Sequence, residues 1–276
     1  MAIAPTRTLN DGLELPLIGL GTYPMDDLEA AEAVRVAFEV GYRLVDTATS
    51  YGNEAGVGQA IARTDVPRDE IVVTTKLRGE DQGYESTLRA FGESRERLGV
   101  EYVDLYLIHW PLPRLDRYVD SWRAMIRLRD DGLLNSLGVS NFTPEQIDRL
   151  VDETGVAPAV NQVELHPYFV QEELRAYDAA HDIVTEAWQP LARKTDLLTE
   201  VALGEIADRH GVTPAQVVLR WHVQRGVVPI PKSGSEARQR ENLEVFGFAL
   251  SDEEMTLIGD RPQDRSGGDP MTHEEF

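Results

Sequence analysis

The chain has 276 residues, with 48 Asp and Glu against 27 Lys and Arg, a formal net charge of −21. That balance works against nonspecific binding to nucleic acid or to anionic membranes, both of which attract basic surfaces. No cysteine is present, which excludes disulfides, thiolate nucleophiles and Cys-held metal clusters, and 42% hydrophobic residues support a buried core rather than disorder. The start MAIAPTRTLNDG has no long apolar stretch, and no run approaches the roughly 18 apolar residues of a membrane helix. A soluble, cytoplasmic protein is the expectation. Only Lys76, Lys194 and Lys232 are lysines, so each carries more information than usual.

The first element expected is a hairpin from Thr8 to Leu17, turning at Asn10-Asp11-Gly12, a strong short-range turn signal. Short apolar runs then alternate with stretches of helical period. Leu17 to Leu20 precedes Leu28 to Val40, Leu44 to Asp46 precedes Ala55 to Ala62, and Ile71 to Lys76 precedes Tyr84 to Leu98. Leu105 to His109 precedes Arg117 to Asp130, Leu137 to Ser140 precedes Pro144 to Val151, and Val160 to Val163 precedes Gln171 to Ala180. Val184 to Trp188 is followed by two helices, Leu198 to Arg209 and Pro214 to Gln224, and Val227 to Ile230 by Ser235 to Phe246. Thr143-Pro144 and Thr213-Pro214 place a capping residue before Pro, while Gly41, Gly99 and Gly211 stand where helices stop. Eight strand-helix units without a linker rich in Gly, Pro and Ser predict one domain over residues 1–276, a (β/α)8 barrel. An open doubly wound sheet is the runner-up. The acidic tail from Arg261 to Phe276, with its Gly and Pro, reads as an irregular segment reaching toward the barrel mouth.

In such a barrel the chemistry lies at the C-terminal ends of the strands. Asp46, Tyr51, Lys76 and His109 all fall there, at or just beyond consecutive strands. Singly, each has an ordinary reading: a helix-capping Asp, a packed Tyr, a strand-end Lys reaching water, a core His. Jointly they describe a proton donor. Hydride addition to a carbonyl leaves an alkoxide that needs a proton, and a tyrosine near its usual pKa of about 10 is a slow source of one. Lys76 beside Tyr51 is expected to lower that pKa, Asp46 to hold Lys76 charged, and His109 to donate to the carbonyl oxygen.

The run GYRLVDTATSYGNE at 41–54, with Val57-Gly58, resembles the first signature of the aldo-keto reductase superfamily. LGVSNF at 137–142 and VPIPKS at 228–233 resemble its second and third signatures, and within the family the chain is similar to the bacterial 2,5-diketo-gluconate reductase group. The resemblance implies the (β/α)8 barrel, NADPH as cofactor, a small-molecule carbonyl substrate, a monomer, and the catalytic tetrad Asp46, Tyr51, Lys76 and His109. It assigns Gly21, Thr22 and Asp46 to the cofactor, Ser140, Asn141 and Gln162 to its carboxamide, Trp188 to stacking on its nicotinamide ring, and Pro190 and Leu191 to a loop over its pyrophosphate.

Lys232, Ser233 and Arg238 sit where a helix is about to begin, and free N–H groups with a positive dipole end favour an anion there, here a 2′-phosphate. Glu241 and Asn242 match adenine contacts. Tyr23, Tyr51, Arg78, His109 and Trp110 are the substrate candidates; Arg78 stands where many relatives carry Trp. Gly19-Leu20-Gly21 and Gly56-Val57-Gly58 do not complete GxGxxG, so no Rossmann site is expected and the Gly56 pair reads as close helix packing.

Two hydrolase readings fail. The six histidines show neither HxxxH nor HxH spacing for a metal, and GVSNF lacks the second glycine of GxSxG. The remaining rival is a barrel that binds NADPH as a redox sensor or regulatory subunit. A paired Tyr51 and Lys76 favour the enzyme.

Overall fold

A computed structural model describes residues 3–275. A short antiparallel hairpin, β1 (Thr6–Thr8) and β2 (Glu14–Pro16), opens the chain. There follow β3 (Leu20–Gly21), α1 (Asp27–Val40), β4 (Leu44–Asp46), α2 (Glu54–Arg63), β5 (Val72–Leu77), α3 (Tyr84–Leu98), β6 (Val103–Ile108) and α4 (Tyr118–Asp130). The second half runs β7 (Leu134–Ser140), α5 (Pro144–Thr154), β8 (Val160–Glu164), α6 (Glu172–Ala180), β9 (Val184–Trp188), α7 (Val201–His210), α8 (Pro214–Gln224), β10 (Val228–Pro229), α9 (Glu236–Leu243) and α10 (Asp252–Gly259).

Strands β3 to β10 form one parallel sheet in sequential order. Its ends meet: Gly19 N donates to Pro229 O, Gly21 N donates to Pro231 O, and Gly21 bridges Lys232. This seam closes the (β/α)8 barrel. It needs glycine, since a Cβ on Gly19 would lie 2.7 Å from Leu44 Cγ and 2.8 Å from Ile230 Cδ1. The two glycines near the first strand thus serve the barrel seam. Prolines at 229 and 231 have no N–H to give, so at the seam both contribute carbonyls only, while Ile230 N between them donates to Ala187 O on the other side.

Side chains alternate across each strand. Leu44, Val72, Leu105, Leu107, Val160, Val184, Val228 and Ile230 form an interior cluster together with Leu9 and Leu15 from the hairpin, which therefore plugs the N-terminal end of the barrel. Their neighbours Val45, Val73, Tyr106 and Ile108 face outward into a larger cluster with α1 to α5. Two residues beyond Leu44, Leu107, Val160 and Val184, the same inward phase delivers Asp46, His109, Gln162 and Glu186. Lys76 follows Val72 by four, again in phase. The floor of the barrel mouth is polar because the strand period makes it so.

The expected caps are present. Thr143 and Thr213 form capping boxes with Gln146 and Gln216, and Gly41, Gly99 and Gly211 end their helices in left-handed conformation at φ 119°, 64° and 66°. Most boundaries agree within three residues, and two departures from expectation stand out. The first barrel strand starts at Leu20 rather than Leu17, because Leu17 N bonds Pro5 O and extends the hairpin. Helix α10 was not foreseen, although Ser251 and Glu254 make a capping box that signals it. The segment 261–275 is irregular, as the sequence implies, and lies across the barrel mouth; Phe276 is outside the described residues.

Candidate active site

A cleft of about 840 Å³ opens at the C-terminal ends of the strands, with Asp46, Tyr51 and His109 among the residues that line it. Lys76, at the end of β5, is wholly buried beneath it. Its Nζ donates to Asp46 Oδ1 at 2.6 Å and Oδ2 at 2.8 Å, to Thr47 O at 3.1 Å and to Tyr51 Oη at 3.2 Å. An ammonium buried alone would lose its proton. Burial does pull the Lys76 pKa down, but Asp46 and Tyr51 outweigh it and hold the group above its ordinary value. Because the phenol oxygen accepts from Lys76, the hydrogen of Tyr51 is left to point elsewhere.

The expected lowering of the Tyr51 pKa is not the net result. Burial pushes it up to about 12, and the pull of Lys76 is partly cancelled by Asp46 and Glu275. The phenol is therefore protonated at neutral pH. Lys76 acts by limiting how far burial raises Tyr51.

His109 packs edge-on against Tyr51, with ring centroids 5.7 Å apart. Its Nδ1 lies 2.7 Å from Glu275 Oε1 and 3.3 Å from Ser50 Oγ. Glu275 Oε2 in turn accepts from Gly79 N at 3.1 Å. The C-terminal segment is thus seated on the mouth. His273 stacks on Trp110 at 3.9 Å, Glu274 pairs with Arg114, and the Ser266 and Gly267 N–H groups donate to Glu164 at 2.7 and 2.8 Å. Burial alone would raise Glu164, but His166, the Ser266 hydroxyl and these two N–H groups bring it down to about 2.

Asn141 holds three strand ends together from a left-handed conformation, φ 64°. Its Nδ2 donates to His109 O and Ser140 Oγ, and its Oδ1 accepts from Trp188 Nε1 at 2.9 Å. Ser140 Oγ donates to Gln162 O at 2.7 Å. Gln162 Nε2 donates to Asp46 Oδ2 and to Glu186 Oε2, both at 2.8 Å.

Residues 17–260 match the Aldo/keto reductase family. The chain belongs to that family. It is 52% identical over 273 residues to 2,5-diketo-D-gluconic acid reductase B of Corynebacterium sp., covering 99% of each chain. It is 46% identical to a methylglyoxal reductase of Salmonella typhimurium, covering 95% of each. A crystal structure of a Gox0644 variant in complex with NADPH superposes with a TM-score of 0.93 at 44% identity, covering 99% of this chain and all of that one.

The aldo-keto reductase cleft has the features a dinucleotide phosphate needs. Gly21, Tyr23, Trp110, Trp188, Pro190, Leu191 and Lys232 line it together with the residues above. Two of the three lysines, Lys194 and Lys232, line its walls, and the third lies under its floor. Neither Lys232 nor Arg238 forms an ion pair among the described residues, and both are exposed. The N-terminus of α9 has no side-chain cap, which leaves its first N–H groups open to an anion. Ser233 is turned inward instead, its Oγ accepting from Ser235 N. Thr22 is buried and donates to Asp46 O. Glu241 accepts from Thr213 Oγ1 at 2.6 Å, and Asn242 is buried beside Tyr42.

Arg78 is placed differently from expectation. It does not line the cleft, because Asp81 at 2.7 Å and Glu80 at 2.9 Å hold its guanidinium. Ser50 and Glu275, which line the mouth, and Glu164 and Glu186, buried beneath it, were missed in the sequence. The polar residue between Val184 and Trp188 on an inward strand phase was a usable signal for Glu186. Nothing local marks Glu275, whose contacts lie far away in the chain. Among the described residues, no group of three His, Asp or Glu is arranged to hold a metal ion, and no helix is long and apolar enough to cross a membrane.

Proposed function

We propose that this chain reduces aldehydes or ketones to alcohols with NADPH, in a single barrel domain, with Tyr51 as proton donor. The observation that carries the reading is one ammonium, Lys76, bonded at once to the Asp46 carboxylate and to the Tyr51 phenol at the floor of a cleft. NADPH, when bound, supplies the hydride. Lys232, Arg238 and the open end of α9 would hold its 2′-phosphate, Lys194 and the turn at Pro190 and Leu191 its pyrophosphate, and Gln162 and Trp188 its nicotinamide end.

Tyr51 keeps its proton until the carbonyl oxygen becomes a strong base, then gives it up. The phenolate left behind is stabilised by Lys76, whose charge Asp46 secures. His109 and Tyr51 converge on one oxygen and orient it. Trp110 and the seated C-terminal segment narrow the mouth.

The test is NADPH oxidation over a panel of aldehydes, ketones and keto-sugars. The names of the relatives direct that panel to 2,5-diketo-D-gluconic acid and methylglyoxal. Tyr51→Phe should lower kcat by about 10² to 10⁴, the usual weight of a general acid, with NADPH affinity nearly unchanged. Turnover retained in that variant refutes the assignment, and a chain that binds NADPH but reduces nothing in the panel points to the regulatory reading instead.

A further inference from the structure

Glu186 is a carboxyl group sealed inside the barrel, opposite Gln162 in the β8–β9 register and wholly buried. Burial of such a group is costly, and the residues in phase with it, Val160, Val184 and Val228, are apolar. Its side chain has one hydrogen-bond partner among the described residues. Oε2 accepts from Gln162 Nε2 at 2.8 Å, and Oε1 accepts from nothing. Asp46 Oδ2 accepts from the same Nε2 at 2.8 Å.

A side-chain amide nitrogen carries two N–H bonds, so both are committed. A single bond would let the amide pivot about it; two fix its plane. The reversed amide would set its carbonyl oxygen against Asp46 Oδ2, itself an acceptor from Lys76. Gln162 Oε1 is thereby directed away from both carboxyl groups, and Gln162 lines the cleft. Ser140 and Asn141 spend their polar atoms on Gln162 O, His109 O, Trp188 and each other. No described residue donates to Gln162 Oε1, which is the acceptor left for a ligand.

We propose that Glu186 is a positioning residue which, with Asp46, clamps the Gln162 amide so that its carbonyl oxygen meets the carboxamide N–H₂ of the nicotinamide ring. The clamp makes this position a reader of hydrogen-bond donors, selecting cofactors by the ring substituent. It rests on the NADPH function proposed above.

The test is calorimetric binding of NADP+ and of its 3-acetylpyridine analogue, in which a methyl group replaces the carboxamide N–H₂. The full chain is compared with Glu186→Leu, which has no acceptor, and Glu186→Gln, which keeps one. The unaltered chain should prefer NADP+ by about 5- to 20-fold, the weight of one buried hydrogen bond. Glu186→Leu should lose most of that preference through weaker NADP+ binding alone, and Glu186→Gln should retain it. Equal weakening of both ligands, no change in either, or no preference in the unaltered chain overturns the clamp. A measurement without substitution guards against misfolding of the Leu variant: both side-chain amide hydrogens of Gln162 should exchange slowly in NMR, and exchange at solvent rates counts against the proposal. A preference for NADP+ lost in Glu186→Leu supports the clamp even where no carbonyl is reduced, the result that defeats the function. Carbonyl reduction with equal affinity for both ligands overturns the clamp and spares the function.

Discussion

Lys76 shows how a single residue acquires its role from its neighbours. Its ammonium reaches four oxygens, of which only Tyr51 Oη belongs to the proposed proton donor. The other three keep the charge in place. At the Lys232 wall of the cleft and on nearby α9 the logic is the reverse, since Lys232 and Arg238 have no ion-pair partner among the described residues and remain exposed. In a chain of net charge −21, such uncommitted cations mark where a polyanion can approach. Lys232→Ala or Arg238→Ala should therefore weaken NADPH by about 10- to 100-fold, as expected for a charge-assisted contact to phosphate, and NADH far less. Fluorescence titrations with both nucleotides measure this, and parallel losses would rule out the phosphate clamp.

At the scale of elements, α1 and α2 illustrate a constraint that serves the site indirectly. Gly56 N donates to Asp27 Oδ1 at 2.7 Å, and a Cβ at Gly56 would lie 2.1 Å from Asp27 O. That obstacle is backbone and cannot swing aside. Gly56→Ala should force the helices apart, cost about 1 to 3 kcal/mol and lower Tm by several degrees in calorimetry. The close-packing reading of this glycine pair extends to Gly58, whose Cβ would lie 2.3 Å from Leu98 O. The C-terminal segment is an element of another kind, without regular structure. It is held by Glu164, Trp110, Arg114 and His109 rather than by its own hydrogen-bond ladder.

The molecule as a whole carries buried carboxyl groups pulling stability in opposite directions with pH. Glu164, brought down to about 2, contributes stability that is present above its ordinary value of 4.5 and lost as pH falls toward 2. Glu186, raised to about 8 by burial and then by Asp46, and Asp178, raised to about 7 by burial, act the other way. Their contribution is complete below the ordinary carboxylate range and is lost as pH rises toward 7 and 8. Buried His222, held down at about 3, adds stability as pH rises to its ordinary 6.5, so the carboxyl loss shows undiluted only above that: Tm should decline from about pH 6.5 to 8, and Glu186→Gln should make the decline shallower. A Tm that climbs from about pH 6.5 to 8 would contradict this balance.

Strand period, helix caps and turn residues act over a few neighbours, so the order of eight strand-helix units was legible in the sequence alone. The inward phase of Asp46, Lys76 and His109 follows from the same local rule, and the family motifs stand in contiguous runs. Tertiary structure decided what depends on distant partners. Burial outweighed Lys76 in setting the acidity of Tyr51, Asp81 and Glu80 drew Arg78 out of the cleft, and the fold carried Glu275 to His109. Desolvation and pairing energies belong to a place in space, and only the closed barrel fixes which charges share one.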